Sequence, residues 1–288
     1  MQTPWRLIIT SPARGAWNMA VDEAILEAIG KDLAPPTLRL YAWEPPCLSL
    51  GYAQPIGDVN LAALLSQGWD LVRRPTGGRA ILHTDELTYA VIAPNHEPRL
   101  QGSVLESYQR LSQALLKALE LLNIPAQAKP LPHPPSSDSP ANLESSSSLS
   151  TSKQTTYPVC FEIPSNYEII AQGKKIIGSA QARRKEGVLQ HGSFPLYGDL
   201  TRILQVLVFP DEKARQEAKQ RLLDHAITAT EARGEAITWQ QAANAVIRGF
   251  ELSLDLRFVK ADLSGFEVAR AEELYHEKYT SLSWNHRL

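Results

Sequence analysis

The sequence predicts an α+β fold with sheet segments in two blocks and helices packed around them. Strand-like alternation and helix-period runs both recur along the chain. The strands cluster before residue 94 and again between about residues 157 and 196 instead of alternating with helices. No internal repeat is present, and 288 residues make one large domain or two modest ones.

WRLIIT reads as the first strand. Residues 17–29, WNMAVDEAILEAI, read as an amphipathic helix whose Met19, Ala20, Ile25, Leu26 and Ile29 share roughly one face. Asn18 suits its N-cap, with Asp22 and Glu23 in or just past the first turn, where the helix dipole favours acids. TLRLYAWE and CLSLGY are strands separated by Pro45-Pro46, residues 59–67 form a short helix, and WDLVRR begins another strand. ELTYAVIAP alternates and stops at proline, and residues 104–122 carry a strong helical pattern.

Composition then shifts. Residues 129–156 are rich in Pro, Ser and Thr with almost no aromatics, too little apolar surface to offset the entropy of ordering, so a mobile insertion is expected there. From TYPVCFE to SFPL the chain reads strand, turn, strand, turn, strand, with QGKK and RRKEG as the turns. Residues 210–226, 238–252 and 263–279 read as helices, giving a helical C-terminal part from about residue 210.

A net charge of −2 gives no bulk attraction to nucleic acid, so a partner must be met by a local patch. Two cysteines, Cys47 and Cys160, make no disulfide framework, and no Cys/His cluster has metal-ligand spacing. The start MQTPWRLIIT lacks the form of a signal peptide, and no apolar run approaches the ~20 residues a membrane span needs. A soluble chain in a reducing, cytoplasmic setting is expected, without membrane or nucleic-acid partners.

Residues 73–91, RRPTGGRAILHTDELTYAV, hold the densest chemical signal. Gly77-Gly78 can turn backbone N–H groups toward an oxyanion, although a tight hairpin explains TGG equally well. The stretch has neither P-loop nor dinucleotide-fold spacing. His83 on the following strand is structural or lines a pocket, and His191 in LQHGS carries the same ambiguity. Cys47 sits in an apolar strand without positive neighbours and reads as structural. Cys160 in PVCFE is either a small buried hydrophobe or a nucleophile, since a nearby cation would favour its thiolate. Such a cation is available in Lys174-Lys175. Strict alternation puts Lys175 on one face with Ile177 and Lys174 on the other with Ile176, as an exposed charge or a pocket ammonium.

NMAVDEAIL, RRPTGGRAILHTDELTYAV, PVCFE and GKKIIGSAQARRKEGVLQHGS together resemble the biotin/lipoate protein ligase superfamily, over roughly residues 1–210 and less distinctly beyond. The RRxTGGxxxxH and KIxGSA segments are its specific parts. The resemblance implies one catalytic domain over 1–288, with the insertion at 129–156. Within the superfamily, lipoate–protein ligases spend ATP on a free acid, whereas octanoyltransferases hold the acyl group on a cysteine. A cysteine that precedes the KIxGSA strand resembles the ligase-like octanoyltransferases.

That likeness implies Cys160 as the nucleophile and Lys175 as the functional lysine. Arg73, Gly77, Gly78 and His83 become pocket or loop positions, and backbone N–H groups near Gly77-Gly78 or Gly178-Ser179 complete an oxyanion site. It implies octanoyl-acyl carrier protein as donor and a lipoyl domain, of glycine cleavage H protein or a 2-oxoacid dehydrogenase E2, as acceptor. No cofactor or metal is expected, with ATP needed only under the ligase alternative. An amidotransferase between lipoyl domains is a further alternative. The run Arg183-Arg184-Lys185 is a docking patch for an acidic carrier or a solvated turn. The insertion is longer than the compact family pattern and immediately precedes Cys160.

Overall fold

A computed structural model describes residues 3–130, 159 and 167–287. Eleven strands form two sheets among the described residues. In chain order they are β1 (Thr3–Ile9), β2 (Thr37–Tyr41), β3 (Cys47–Leu50), β4 (Asp70–Arg73), β5 (Ile81–His83), β6 (Glu86–Ala93), β7 (Ala126–Pro130), β8 (Tyr167–Ala171), β9 (Lys174–Arg183), β10 (Val188–Pro195) and β11 (Leu256–Lys260). Eight run in the order β11-β1-β2-β6-β10-β9-β8-β7, and three form a small sheet β4-β3-β5. The helices are α1 (Gly15–Gly30), α2 (Leu61–Ser66), α3 (Val104–Leu121), α4 (Glu212–His225), α5 (Ala229–Arg233), α6 (Trp239–Leu254), α7 (Gly265–Leu274) and α8 (Leu282–Asn285).

Period-two alternation builds three layers. Leu38, Leu40, Tyr89 and Val91 face α3 and α6, whereas Tyr41, Ala90 and Ile92 face α1 and α7. Every residue of β6 is therefore buried, although its sequence alternates as a half-exposed strand would. Helices α3, α5, α6 and α7 each start with a capping box, at Ser103/Glu106, Thr228/Glu231, Thr238/Gln241 and Ser264/Glu267. Glu267 also accepts from the Arg6 guanidinium and so ties α7 to β1.

Several expectations need correction. Asn18 is not the cap of α1: the helix begins at Gly15, and Asn18 is buried, donating to the carbonyls of Ala13 and Ala42. Gly15 lets the helix start against β3, since a Cβ there would meet Cys47 Sγ at 2.3 Å. Asp22 faces the buried Arg39 and Glu23 the half-buried Lys278, not the helix dipole. The short helix begins at Leu61 behind an Asn60 cap, and the last long helix stops at Leu274 before a π turn, Tyr275–Tyr279. Strand β7 takes the first two residues of the expected insertion, and 131–156 lies outside the described residues.

The β8–β9 hairpin turns at Gln172-Gly173, both with positive φ, 51° and 78°. Its register shifts: Ile170 pairs with Lys175 but Ile169 pairs with Ile177, leaving Ile176 as the extra residue of a bulge. Strict alternation thus fails here, and Ile176 and Ile177 both join the α3/α6 core. No described helix is long and apolar enough to cross a membrane.

Candidate active site

The glycine loop joins β4 to β5, and one buried arginine shapes it. The Arg74 guanidinium donates to the carbonyls of Gly77 (2.9 Å) and Arg79 (2.7 Å) and to Ser49 Oγ (2.9 Å). Gly78 takes φ 92°, and a Cβ on Gly51 would meet Gly78 O at 1.9 Å, so loop and β3 require glycine on both sides of the contact. A Cβ on Gly77 would meet nothing within 4 Å, so the loop is open on that side.

Beneath the loop lies a small, mostly apolar cavity. Met19 from α1, Tyr41 at the end of β2 and Trp43 after it, Ile81 and His83 from β5, Gly178 and Ser179 from β9, and His191 to Ser193 from β10 wall it. Gly192 keeps it open, because a Cβ there would meet the Tyr89 ring at 2.4 Å and Ser179 Oγ at 2.7 Å. The Tyr89 hydroxyl lies 2.7 Å from Ser179 Oγ, and burial pushes its pKa up to about 12, so it stays a neutral hydrogen-bonding group.

Two buried carboxylates brace the wall. His83 stacks on Trp43 with ring centroids 4.0 Å apart. Its Nδ1 lies 2.8 Å from Glu86 Oε1 and its Nε2 2.7 Å from Ser49 Oγ. Glu86 also accepts from the hydroxyls of Thr88 and Ser193. Burial alone would raise the Glu86 carboxyl, but His83 and the hydroxyls outweigh it and hold the group below its ordinary value. On the other side, Asp22 accepts from Arg39 (2.7 Å) and the Tyr41 hydroxyl (3.0 Å). Burial again opposes ionisation, and Arg39 with His191 overcomes it. His191 spans Asp22 and the loop, with Nε2 2.6 Å from Thr76 Oγ1 and Nδ1 3.5 Å from Asp22 Oδ2. Burial depresses the His191 pKa despite Asp22, so the ring is neutral at pH 7.

The expected residues divide. His83, Gly178 and Ser179 line the cavity; Gly77 and Gly78 form the loop above it. Arg73 does not line it: its guanidinium donates to six backbone carbonyls, those of Gly51, Tyr52, Gln54, Trp284, Asn285 and Arg287. Lys175 is buried beyond the bulge, with Nζ 3.1 Å from Glu168 Oε1. Its backbone bridges Ala226, whose side chain packs in one cluster with Val159 and Leu222. Cys160 lies outside the described residues. Val159 is described: it is buried and bridges Ala80, the end of the glycine loop. Burial, then Asp70 and Glu86, push the Cys47 thiol well above its ordinary value, which makes it a poor nucleophile.

Sequence reasoning missed Arg74, Ser49, Thr76, Trp43 and the Asp22–Arg39 pair. Strand alternation could have separated Arg73 from Arg74, since neighbours along an extended chain point to opposite faces. The i, i+4 pair Asn18/Asp22 signals one helix face, but not its partner in β2.

The chain matches the lipoyl protein ligase A/B catalytic domain over residues 14–251. It belongs to that family. Within the family it is similar along its whole length to octanoyltransferases LipM: 38% identical to that of Kyrpidia tusciae, covering 100% of both chains. It is 37% identical to that of Brevibacillus brevis, covering 98% of this chain and 99% of the relative. Among solved structures, a bipartite lipoate protein ligase of Thermoplasma acidophilum superposes with a TM-score of 0.77 at 24% identity, over 99% of this chain and 96% of that one. A lipoate-protein ligase A bound with ATP gives 0.74 at 25% identity, over 99% of both. These likenesses bear out the α+β ligase-like fold and the octanoyltransferase grouping of this family member.

Proposed function

We propose that this octanoyltransferase of lipoate assembly works through a thioester on Cys160, with octanoyl-acyl carrier protein as donor and a lipoyl-domain lysine as acceptor. The Cys160 thiolate attacks the donor carbonyl, forming a new C–S bond. The donor's C–S bond breaks, and its thiolate leaves and takes up a proton. The acceptor amine then attacks the enzyme thioester, loses a proton as the amide C–N bond forms, and returns the Cys160 thiolate. An amide is more stable than a thioester, so the second step runs downhill without ATP.

One observation carries the assignment of Cys160. Val159, its immediate chain neighbour, is docked against Ala80 at the end of the glycine loop, one residue from Ile81 in the cavity wall. Cys47, by contrast, is buried with a raised pKa. Lys175 is the ammonium assigned to favour the thiolate and the oxyanion. Ala226, which it bridges, packs in the cluster that holds Val159, and this supports the role. The open face at Gly77 suits backbone N–H groups that meet the oxyanion. Burying about six methylenes in the cavity at ~0.8 kcal/mol each contributes roughly 5 kcal/mol, which favours a medium over a short chain.

Intact-mass spectrometry after mixing the protein with octanoyl-acyl carrier protein, without ATP, tests the reading. An octanoyl adduct removed by hydroxylamine and absent in Cys160→Ala is expected. Transfer that appears only with ATP and free octanoate, and survives Cys160→Ala, refutes it.

A further inference from the structure

Thr76, the residue before Pro-free Gly77-Gly78, is buried and held from two sides. Its carbonyl accepts from Tyr52 N at 2.8 Å, and Tyr52 O accepts in turn from the Arg73 guanidinium. Its hydroxyl lies 2.6 Å from His191 Nε2. The Arg74 guanidinium holds the loop further along, at the carbonyls of Gly77 and Arg79. Two glycines in a row have little conformational preference of their own, so the anchors on either side set where their N–H groups point.

His191 stands in the middle of β10, opposite Ala90 on β6 and Ala180 on β9. Neither alanine side chain offers the ring a polar atom. The charged and titratable groups around it come from other elements: Asp22 of α1, with Arg39 and Tyr41 of β2 behind it, Arg74 after β4 and His83 of β5. The ring is neutral at pH 7, so one nitrogen carries the proton and the other is bare. Asp22 is ionised and faces Nδ1 at 3.5 Å. A carboxylate only accepts, and a bare Nδ1 would set lone pair against lone pair. The proton therefore belongs on Nδ1. Arg39 already neutralises Asp22 at 2.7 Å, so no imidazolium is needed there. Nε2 is left as a pure acceptor, and the Thr76 hydroxyl donates to it. The Asp22 contact is long, so it selects the protonated nitrogen more than it adds strength.

We infer that His191 is a positioning residue of the transfer reaction, which Asp22 holds as the Nδ1–H tautomer so that Nε2 anchors the Thr76 hydroxyl and fixes the glycine loop. The effect on transfer rests on the reading above, in which N–H groups of this loop meet the oxyanion. The anchor itself does not.

Two measurements on the full chain test this. Long-range proton–nitrogen spectra of the imidazoles at pH 7, with His191 assigned by its absence in His191→Gln, report the tautomer. The Nδ1–H form is expected; an Nε2–H form or an imidazolium overturns the inference. The second measurement is amide exchange at Gly77 and Gly78, alongside steady-state octanoyl transfer. Thr76→Val keeps the shape and removes the hydroxyl. Exchange should rise and kcat fall, each about tenfold, the scale of one buried hydrogen bond, with KM little changed. Thr76→Ser should recover most of both. His191→Gln places an acceptor where Nε2 stood and should lose less than His191→Asn, whose shorter amide reaches toward Asp22 but not Thr76. Thr76→Val with exchange and kcat as in the wild type, or His191→Asn no worse than His191→Gln, overturns the anchor. Failure of the wild type to transfer octanoyl from any thioester removes the thioester reading alone, because tautomer and exchange still decide the anchor.

Discussion

Arg73→Met removes a guanidinium that is 0% exposed and donates to six backbone carbonyls. Three belong to the segment after β3 and three to the C-terminal residues from Trp284 to Arg287. The backbone joins in: Arg73 N donates to Asn285 Oδ1 at 2.7 Å, and Trp284 Nε1 donates to Arg73 O at 2.8 Å. The arginine therefore clasps the C-terminal residues to the base of the glycine loop. Methionine keeps the stem but leaves the carbonyls without their donor. Each one left buried and unsatisfied costs about 1–3 kcal/mol. Water reaches the outer ones as the tail frays, so about two remain orphaned, for a loss of ~4 kcal/mol. For a domain of this size that lowers Tm by about 8–16 °C. Urea and thermal unfolding read the loss, and limited proteolysis reads release of the tail. Arg73→Lys should recover less than half, because an ammonium has three donors and no planar fork. A loss below about 1 kcal/mol in Arg73→Met, with the tail still protected, would refute the clasp.

Other outcomes follow from the same geometry. Gly192→Val drives a side chain into Tyr89 and Ser179, and octanoyl loading should fall at least tenfold, read as adduct formation by mass. Cys47→Ala should keep the acyl-enzyme and lose about 1 kcal/mol of stability, since it deletes a buried sulfur and no nucleophile. Stability should also fall as pH drops. The depressed His191 pKa means that the unfolded chain binds its proton first, so this contribution is present above pH ~6.5 and declines below it. The depressed carboxyls Asp22, Glu23, Glu86 and Glu267 add a contribution present above about pH 4.5 and lost as pH falls through their folded values. A urea midpoint flat between pH 7 and 4 would contradict both assignments.

Much of the architecture was legible, because long periodic segments announce themselves. Helix α3 carries its apolar stripe and its Ser103/Glu106 box in plain sight, and β6 is bounded by a turn and a proline. Two short strands were hidden. β7 runs into the expected insertion and β11 is mostly exposed, so both exist through pairing with distant strands and not through pattern. The site was legible where a residue type has few uses: TGG, the histidine after it and GSA mark the right walls. Arg73 and Arg74 are adjacent and chemically identical, and only the direction of a strand tells the clasp from the pocket arginine. Asp22 resembled a helix-dipole residue because its partner Arg39 lies on β2, across a contact that no local window contains. The bulge at Ile176 was equally invisible, and it alone undoes the face-sharing of Lys175 and Ile177.

The most direct test of the central claim is a single-turnover chase. Octanoyl-enzyme is isolated free of donor, mixed with an apo lipoyl domain without ATP, and followed by intact mass of both proteins. The thioester account predicts that the octanoyl mass leaves the enzyme and appears on the lipoyl-domain lysine at least as fast as steady-state turnover. An acyl group that stays on the enzyme, or moves only when ATP is added, would contradict it.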